Sequence, residues 1–362
     1  TRSPVKSTPL PTLCSYVPIS RLMPTDRTFT VSSELAGQTL AAALRQLVGE
    51  LSWGQAKRLI TTRRVEINDT LCLNDARRLN AGDVVRVLEN PRPPVPRETS
   101  VRILHIDTDL LIIDKPAGVI TLRRDEESGF SEERKELQPS LDELLQNLLS
   151  APATPVARRR GRKPKPAGRG PKLFAVHRLD RDTSGLMIFA LSVRAQEALI
   201  RMLSKHQVRR NYIAVVHGHV EHEHTVESWL IRDRGDGLRG SAPLGPDASD
   251  AKHAITHVRP IESIGNAYTV VECRLETGRT HQIRIHMTET GHMLCGEKLY
   301  TRRAPGAPAT PDSSGAPRQA LHSTEISLIH PFTAQTLHFT LPMPKDLANW
   351  LDRLRSECEA SG

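Results

Sequence analysis

His177-Arg178-Leu179-Asp180-Arg181-Asp182-Thr183-Ser184-Gly185 stands between two apolar stretches, Phe174-Ala175-Val176 and Leu186-Met187-Ile188-Phe189. Short apolar runs bounded by polar residues and glycine predict strands. The polar segment between them then sits at the mouth of a sheet, where cations and carboxylates make a cleft suited to catalysis. The same composition also suits a solvated hairpin turn. It does not by itself choose between Asp180 and Asp182.

A second polar cluster lies about a hundred residues on, at Glu276-Thr277-Gly278-Arg279-Thr280-His281-Gln282-Ile283-Arg284-Ile285-His286. Gly278 permits a sharp turn. Arg279, His281, Arg284 and His286 then crowd the start of one element, a grouping that suits a phosphate or a carboxylate partner. Thr280 is placed to cap a helix that ends at Gly291. The alternative is a helix with an exposed basic face.

Between and around these clusters, Val101–Leu104, Leu110–Ile113, Tyr212–Val216 and Tyr268–Leu275 have the pattern of strands, and Arg194–Leu203 that of a helix. Residues 303–318 form a Pro/Ala/Gly/Ser loop, and Trp350–Leu354 a short closing helix. Strands and helices mix without a regular βαβ period, which predicts an α+β fold with a mixed sheet. Residues 123–172 are an insertion. Leu141, Leu144, Leu145, Leu148 and Leu149 give it one apolar helical face, suited to a core. It ends in a basic run (Arg158, Arg159, Arg160, Arg162, Lys163, Lys165, Arg169, Lys172) too polar and Pro-rich to pack.

The N-terminal third has a different texture. Leu40, Leu44, Leu47, Val48 and Leu51 recur at helical spacing, and Ser52 caps a second helix with Ala56, Leu59 and Ile60 inward. Val65-Glu66-Ile67 and Val84-Val85-Arg86-Val87 follow as strands joined by tight turns. Residues 34–90 are thus a small αα-β unit. Residues 1–33 are expected as a disordered extension, 91–100 as a stiff Pro-rich linker, and 101–362 as the main domain.

Fifty Lys and Arg against 41 Asp and Glu give 362 residues a net charge of +9, which favours a polyanionic partner. The excess is concentrated in the basic run. Five cysteines without a C-x-x-C pair point to reduced thiols and neither a disulfide framework nor a cysteine zinc site. No apolar run approaches the ~18 residues of a membrane helix.

Together the chemical segments resemble the RluA-type pseudouridine synthases over most of 101–345. His177-Arg178-Leu179-Asp180 with Thr183-Ser184-Gly185 is similar to the family signature. Arg209-Arg210-Asn211-Tyr212 with Ala214 and Gly218 resembles its second motif, and Gly278-Arg279-Thr280-His281-Gln282-Ile283-Arg284 its third. Asp114-Lys115-Pro116-Ala117-Gly118 and Leu321-His322 also fit. Two departures stand out. Gly291-His292-Met293-Leu294-Cys295-Gly296-Glu297 replaces the family's Gly-His-Pro-(apolar)-x-Gly-Asp, close to the expected site. Thr121-Leu122-Arg123 stands where the family commonly has a His.

The resemblance implies a pseudouridine synthase fold with a central mixed, largely antiparallel sheet. It implies Asp180 as the catalytic carboxylate, Tyr212 against the target base and Arg284 paired with Asp180 to keep it charged. It implies catalysis without cofactor or metal. Arg178, Arg279 and Lys115 are candidate phosphate contacts. The 34–90 unit resembles an S4 RNA-binding domain, with Lys57, Arg58, Arg63, Arg64, Arg77 and Arg78 as its basic edge. The expected partner is RNA, ribosomal (large subunit) rather than transfer RNA, bound by a monomer in the cytoplasm with no membrane association. The rival readings are a non-catalytic RNA-binding or ribosome-assembly factor on the same fold, and a base glycosylase, which would release free uracil.

His217-Gly218-His219-Val220-Glu221-His222-Glu223-His224 has a metal-like composition, but zinc needs converging ligands from elsewhere, and a polar strand end with a turn is the expectation. Arg160-Gly161-Arg162-Lys163-Pro164 has the form of a minor-groove hook. Nonspecific RNA affinity or a solvated linker is expected there.

Overall fold

The computed structural model describes residues 26–361 except Glu50, Asp69, Pro93, Val95, 124–134, 136–138 and 151–170. The first 25 residues of the expected extension, and the basic run up to Arg169 with its hook-like motif, lie outside the described residues. The chain divides into two units after Pro94.

The first unit contains β1 (Arg27–Thr30), α1 (Leu40–Val48), α2 (Trp53–Thr61), β2 (Val65–Ile67), β3 (Thr70–Leu71) and β4 (Val84–Val87). Its helices begin at polar caps. Thr39 Oγ1 accepts the Ala42 N–H, and Ser52 closes a reciprocal capping box with Gln55. Leu40, Leu44, Leu59 and Ile60 bury against Val65, Val85 and Val87. The strands run β1-β4-β2-β3, each pair antiparallel. β1 departs from the sequence expectation, which assigns it to the extension. Its side chains are mostly exposed, so no apolar alternation marks it, yet its backbone pairs with β4 along all four residues.

The second unit is built on one large sheet. It comprises β5 (Arg102–Ile106), β6 (Leu110–Lys115), α3 (Leu141–Ser150), β7 (Phe174–Ala175), β8 (Ser184–Ala190), α4 (Val193–Ser204), β9 (Arg209–His217), β10 (His224–Ile231), β11 (Gly240–Ser241), β12 (Lys252–Ile264), β13 (Tyr268–Leu275), α5 (Gln282–Glu289), β14 (Leu321–Ile329), β15 (Thr336–Thr340) and α6 (Lys345–Ser361). The strand order is β11-β10-β12-β13-β9-β14-β8-β6-β5, with β15 on β14 and β7 on β8. Among these pairings only β8 with β14 is parallel. The sheet is therefore mixed and largely antiparallel, and the fold is α+β.

That one parallel contact positions the middle strands of the large sheet. Ser323 on β14 pairs with Gly185 on one side and with Tyr212 of β9 on the other. Gly185 has φ +111°, and a Cβ there would fall on the Ser323 backbone, so the two strands approach only because this residue is glycine. One side of the sheet buries Met187, Phe189, Tyr212 and Val271 with Leu141, Leu144 and Leu145 of α3. The leucine stripe is thus core, as its spacing suggests. α6 is longer than the short helix expected: Leu347, Trp350, Leu351 and Leu354 bury as one stripe against Val215, Ile264 and Val270. Among the described residues, no helix is long and apolar enough to cross a membrane.

Candidate active site

The segment between β7 and β8 is a turn clamped from several directions. Thr183 N–H donates to Asp180 O (3.2 Å), and Gly118 N–H donates to Arg181 O (2.8 Å). Thr121 Oγ1 donates to Leu179 O (2.9 Å) and accepts the Leu179 N–H (3.2 Å). Thr121 belongs to the segment that departs from the family's His, and it grips the residue before Asp180 on both sides.

Lys115 corrects a sequence expectation. It is fully buried, so it does not meet phosphate. Its Nζ donates to Pro116 O (3.0 Å), Arg181 O (3.0 Å) and Thr183 O (2.8 Å), tying β6 to the turn. Burial pushes its pKa down to about 7, against the attraction of Asp182 and Asp180. Sequence alone reads an unpaired lysine as a surface cation because three backbone acceptors are visible only in the fold.

The turn aims Asp180 inward and leaves Asp182 exposed. Asp180 lines a pocket with Arg178, Tyr212, Arg279, His281 and Arg284. Its side chain is 13% exposed and lies 3.1 Å, Oδ2 to Nη1, from Arg284, whose own side chain is 10% exposed. The geometry thus separates two carboxylates that composition leaves equivalent.

Arg284 sits in α5, which is buried from Gln282 to Thr288. This rules out the exposed basic helix face. The helix does not start on a Thr280 cap. His281 occupies the cap position in left-handed conformation (φ 61°) with no side-chain cap bond. Gln282 Oε1 instead accepts the Arg279 N–H (3.0 Å) and the Thr277 hydroxyl (2.8 Å). At the other end, His292 N–H bonds back to Met287 O (2.7 Å) around Gly291, φ 92°.

Three groups to which the sequence gives no role surround the Asp180–Arg284 pair, His281 in the pocket wall and Glu297 and Tyr300 behind it. Glu297, fully buried, takes Arg284 Nε and Nη2 at 2.7 Å each. Burial pushes its carboxyl up in pKa, but the Arg284 bonds and backbone N–H groups prevail and hold it below its ordinary value. Arg284 itself stays protonated, burial notwithstanding, because both carboxylates raise its pKa. His281 places Nε2 3.7 Å from Asp180 Oδ1 and Nδ1 2.7 Å from the Tyr300 hydroxyl. Burial lowers His281 to about 4, so the ring is neutral near pH 7. The signal for Glu297 was its departure from the family's Asp. For His281 and Tyr300, nothing in the spacing marks their pairing.

Tyr212 is 4% exposed and lines the same pocket. Burial raises its pKa, with a smaller push down from Arg210, so its hydroxyl keeps its proton. Arg210 is also buried in the pocket wall, donating to Glu276 O (3.2 Å). Arg178 and Arg279 are exposed at the mouth, Arg279 Nε donating to His253 O (2.8 Å).

In the first unit, Lys57, Arg77 and Arg78 are exposed. Arg58, Arg63 and Arg64 are half-buried. Arg63 Nε donates to Arg92 O (3.0 Å) and Arg64 Nη1 to Leu88 O (3.4 Å), so both tie backbone together behind α2.

The histidine run does not converge. His217 Nε2 meets Asp312 Oδ1 at 2.8 Å, while His219 Nδ1 meets Ser263 Oγ at 3.2 Å. Asp107, Asp109 and His330 lie closer together. There His330 Nδ1 accepts the N–H groups of Phe332 and Thr333, which puts the neutral ring's proton on Nε2. Nε2 lies 3.3 Å from Asp107 Oδ2 without making a hydrogen bond.

A buried carboxylate–guanidinium pair at the end of a mixed sheet defines an enzyme pocket, and comparison with known proteins places it. Residues 109–289 match the family described as RNA pseudouridylate synthase. The chain is 32% identical over 332 residues to ribosomal large subunit pseudouridine synthase D of Nitrosomonas europaea, covering 90% of this chain and 87% of that relative. It is 30% identical over 345 residues to the protein of the same name in Escherichia coli K12, covering 92% and 95%. Human RNA Pseudouridylate Synthase Domain Containing 4 shares the fold, with a TM-score of 0.50 at 21% identity over 70% of this chain and 93% of that one. The chain belongs to the RNA pseudouridylate synthase family, in its RluA-type branch. It is an isomerase that acts on uridine in RNA.

Proposed function

We propose that the substrate is large-subunit ribosomal RNA, that Asp180 is the reacting carboxylate, and that Arg284 and Tyr212 serve it. The observation that carries this reading is the pairing of Asp180 with Arg284 in a pocket that also contains Tyr212. The choice of RNA rests on relatives named for the large ribosomal subunit that align over nine-tenths of the chain.

Pseudouridylation breaks the N1–C1′ bond, turns the uracil, and joins C5 to C1′, with the C5 proton lost and N1 protonated. No net redox change occurs. The target base must first leave its stack, at a cost of a few kcal/mol. Phosphate contacts offset that cost. Arg178 and Arg279 at the mouth are placed to make them, and the N-terminal unit supplies a second grip through Lys57, Arg77 and Arg78. Arg284 sets its positive charge against the Asp180 carboxylate, which must be anionic to act as a nucleophile or base. Tyr212 packs on the uracil, and its protonated hydroxyl is available as a donor. The free thiols of Cys273, Cys295 and Cys358 suit a reducing cytoplasm.

The test is Asp180→Asn on RNA from cells deleted for the gene and labelled with [5-³H]uridine. The variant is expected to bind this RNA as the wild type does and to release no tritium. Tritium release at the wild-type rate ends the assignment of Asp180. Mapping the new pseudouridines to transfer RNA alone ends the assignment of the substrate.

A further inference from the structure

Arg284 has two carboxylates to serve and divides itself unequally between them. Its Nε and Nη2 edge faces Glu297 with two bonds of 2.7 Å. Only Nη1 reaches Asp180, at 3.1 Å, and only to Oδ2. We propose that Glu297 is a positioning residue that claims the paired N–H edge of Arg284, so that Asp180 keeps one oxygen out of the ion pair for chemistry. This rests on the reading of Asp180 as the reacting carboxylate.

The physical reason lies in the shape of guanidinium. Arginine and a carboxylate pair most favourably in the two-bond, edge-on mode. With Asp180 as its sole partner, Arg284 would draw both Asp180 oxygens onto that edge. Asp180 Oδ1 instead has His281 Nε2 at 3.7 Å, beyond hydrogen-bond range. It is the oxygen left for the substrate.

Glu297 is built to hold this task. It is fully buried, and its Oε1 also accepts the N–H groups of Lys298 (3.0 Å), Leu299 (2.8 Å) and Tyr300 (3.2 Å). The preceding Gly296 has φ +77°, and a Cβ there would fall on the Arg318 carbonyl, so the turn that carries Glu297 is pinned. The same short segment ends in Tyr300, whose hydroxyl meets His281 Nδ1. One loop thus orients both neighbours of Asp180.

The charges agree. Two carboxylates and one guanidinium leave the row with one net negative charge, suited to an anionic reactant. At any stage where Asp180 carries less charge, Glu297 still compensates the buried cation, which would otherwise stand alone at high cost.

The test uses the full-length chain and the same labelled RNA, with Glu297→Gln, Glu297→Asp and Arg284→Lys. Glu297→Gln still offers an oxygen to the loop N–H groups and to Arg284 Nη2, but its amide nitrogen cannot accept the Arg284 Nε–H, so the paired edge loses one bond and its counter-charge. Its kcat is expected to fall about a hundredfold with KM unchanged, the size expected when a reacting group is misplaced by an ångström. Glu297→Asp keeps the charge and is expected to lose only about tenfold, again in kcat. Added to Arg284→Lys, which has no paired edge, Glu297→Gln is expected to cost no more than about threefold, as coupled residues do. A wild-type kcat in Glu297→Gln overturns the proposal, as does an equal loss in both Arg284 backgrounds, which marks a loop-folding role. If Glu297→Gln lacks the wild-type circular dichroism spectrum, Glu297→Asp decides, and an unchanged kcat or a raised KM in it overturns the proposal. Asp180→Asn in parallel separates the two readings, since activity there discards the role of Asp180 and not the coupling of 297 to 284.

Discussion

Arg284 Nη1 lies 3.1 Å from Asp180 Oδ2, although 104 residues separate the two in the chain. The contact joins the turn before β8 to the start of α5, and Glu297 extends it into a row of three buried charges. A row of this kind is sensitive to the loss of its middle member.

Replacing Arg284 with Met therefore leaves Glu297 without its counter-charge in a dry site. Removing one partner of a buried pair costs about 3–5 kcal/mol. Urea denaturation is expected to show a loss of this order for Arg284→Met. A loss below about 1 kcal/mol, typical of surface pairs, contradicts the buried row.

Lys115 gives stability a signature at alkaline pH. Its folded pKa is about 7 and its ordinary value 10.5. Between these values the unfolded chain holds a proton that the folded chain has given up, so this group's contribution raises stability as pH climbs from 7 toward 10.5. Lys115→Met removes that rise. It also removes a donor from the Pro116, Arg181 and Thr183 carbonyls, of which Arg181 O keeps the Gly118 N–H, at about 1–3 kcal/mol for each group that stays unsatisfied. Denaturation curves across this pH range, wild type against variant, read both effects. A variant as stable as wild type at pH 7, or one with an unchanged pH slope, contradicts the clamp.

Gly185→Ala tests the parallel contact. The added methyl meets the Ser323 backbone, which cannot step aside without parting β8 from β14. The positive φ adds strain of its own, about 1–2 kcal/mol. Loss of stability beyond that figure, with falling activity, is expected from thermal melts and tritium release. A wild-type melting temperature shows that the strands tolerate separation. By contrast, Gly54→Ala near the start of α2, where nothing closer than 3.9 Å meets a Cβ, is expected to gain about 0.5–1 kcal/mol.

Lys57 and Arg77 test the N-terminal unit's grip. If each meets a phosphate, Lys57→Gln with Arg77→Gln lowers the slope of log K against log salt by about 0.7–0.9 for every phosphate no longer neutralised. Filter binding at several salt concentrations reads the slope. An unchanged slope removes these two residues from the RNA surface.

Sequence carried the site unevenly. Strands β6, β8 and β13 and the inward leucines of α3 were legible because an apolar run or stripe announces burial. Asp180, Tyr212 and Arg284 were legible through motif resemblance, and the fold gathers all three around one pocket. Lys115 was misplaced because its partners are backbone carbonyls, which leave no mark in residue identity. β1 was missed because a strand can be held by its backbone while its side chains face water. β12 carries Pro260, which argues against a strand in sequence, yet the ladder only shifts register there. Glu297 appeared as a family departure, and only geometry revealed what the departure touches.

The residues of α5 are enclosed from Gln282 to Thr288. A cation seated in such a helix has no freedom to follow different guests. With RNA held as proposed, discrimination among RNAs falls to the rim, where Arg178 and Arg279 stand, and to the separate N-terminal unit. On that reading the outer parts can be altered to take a new uridine while Asp180, Tyr212 and Arg284 stay in place.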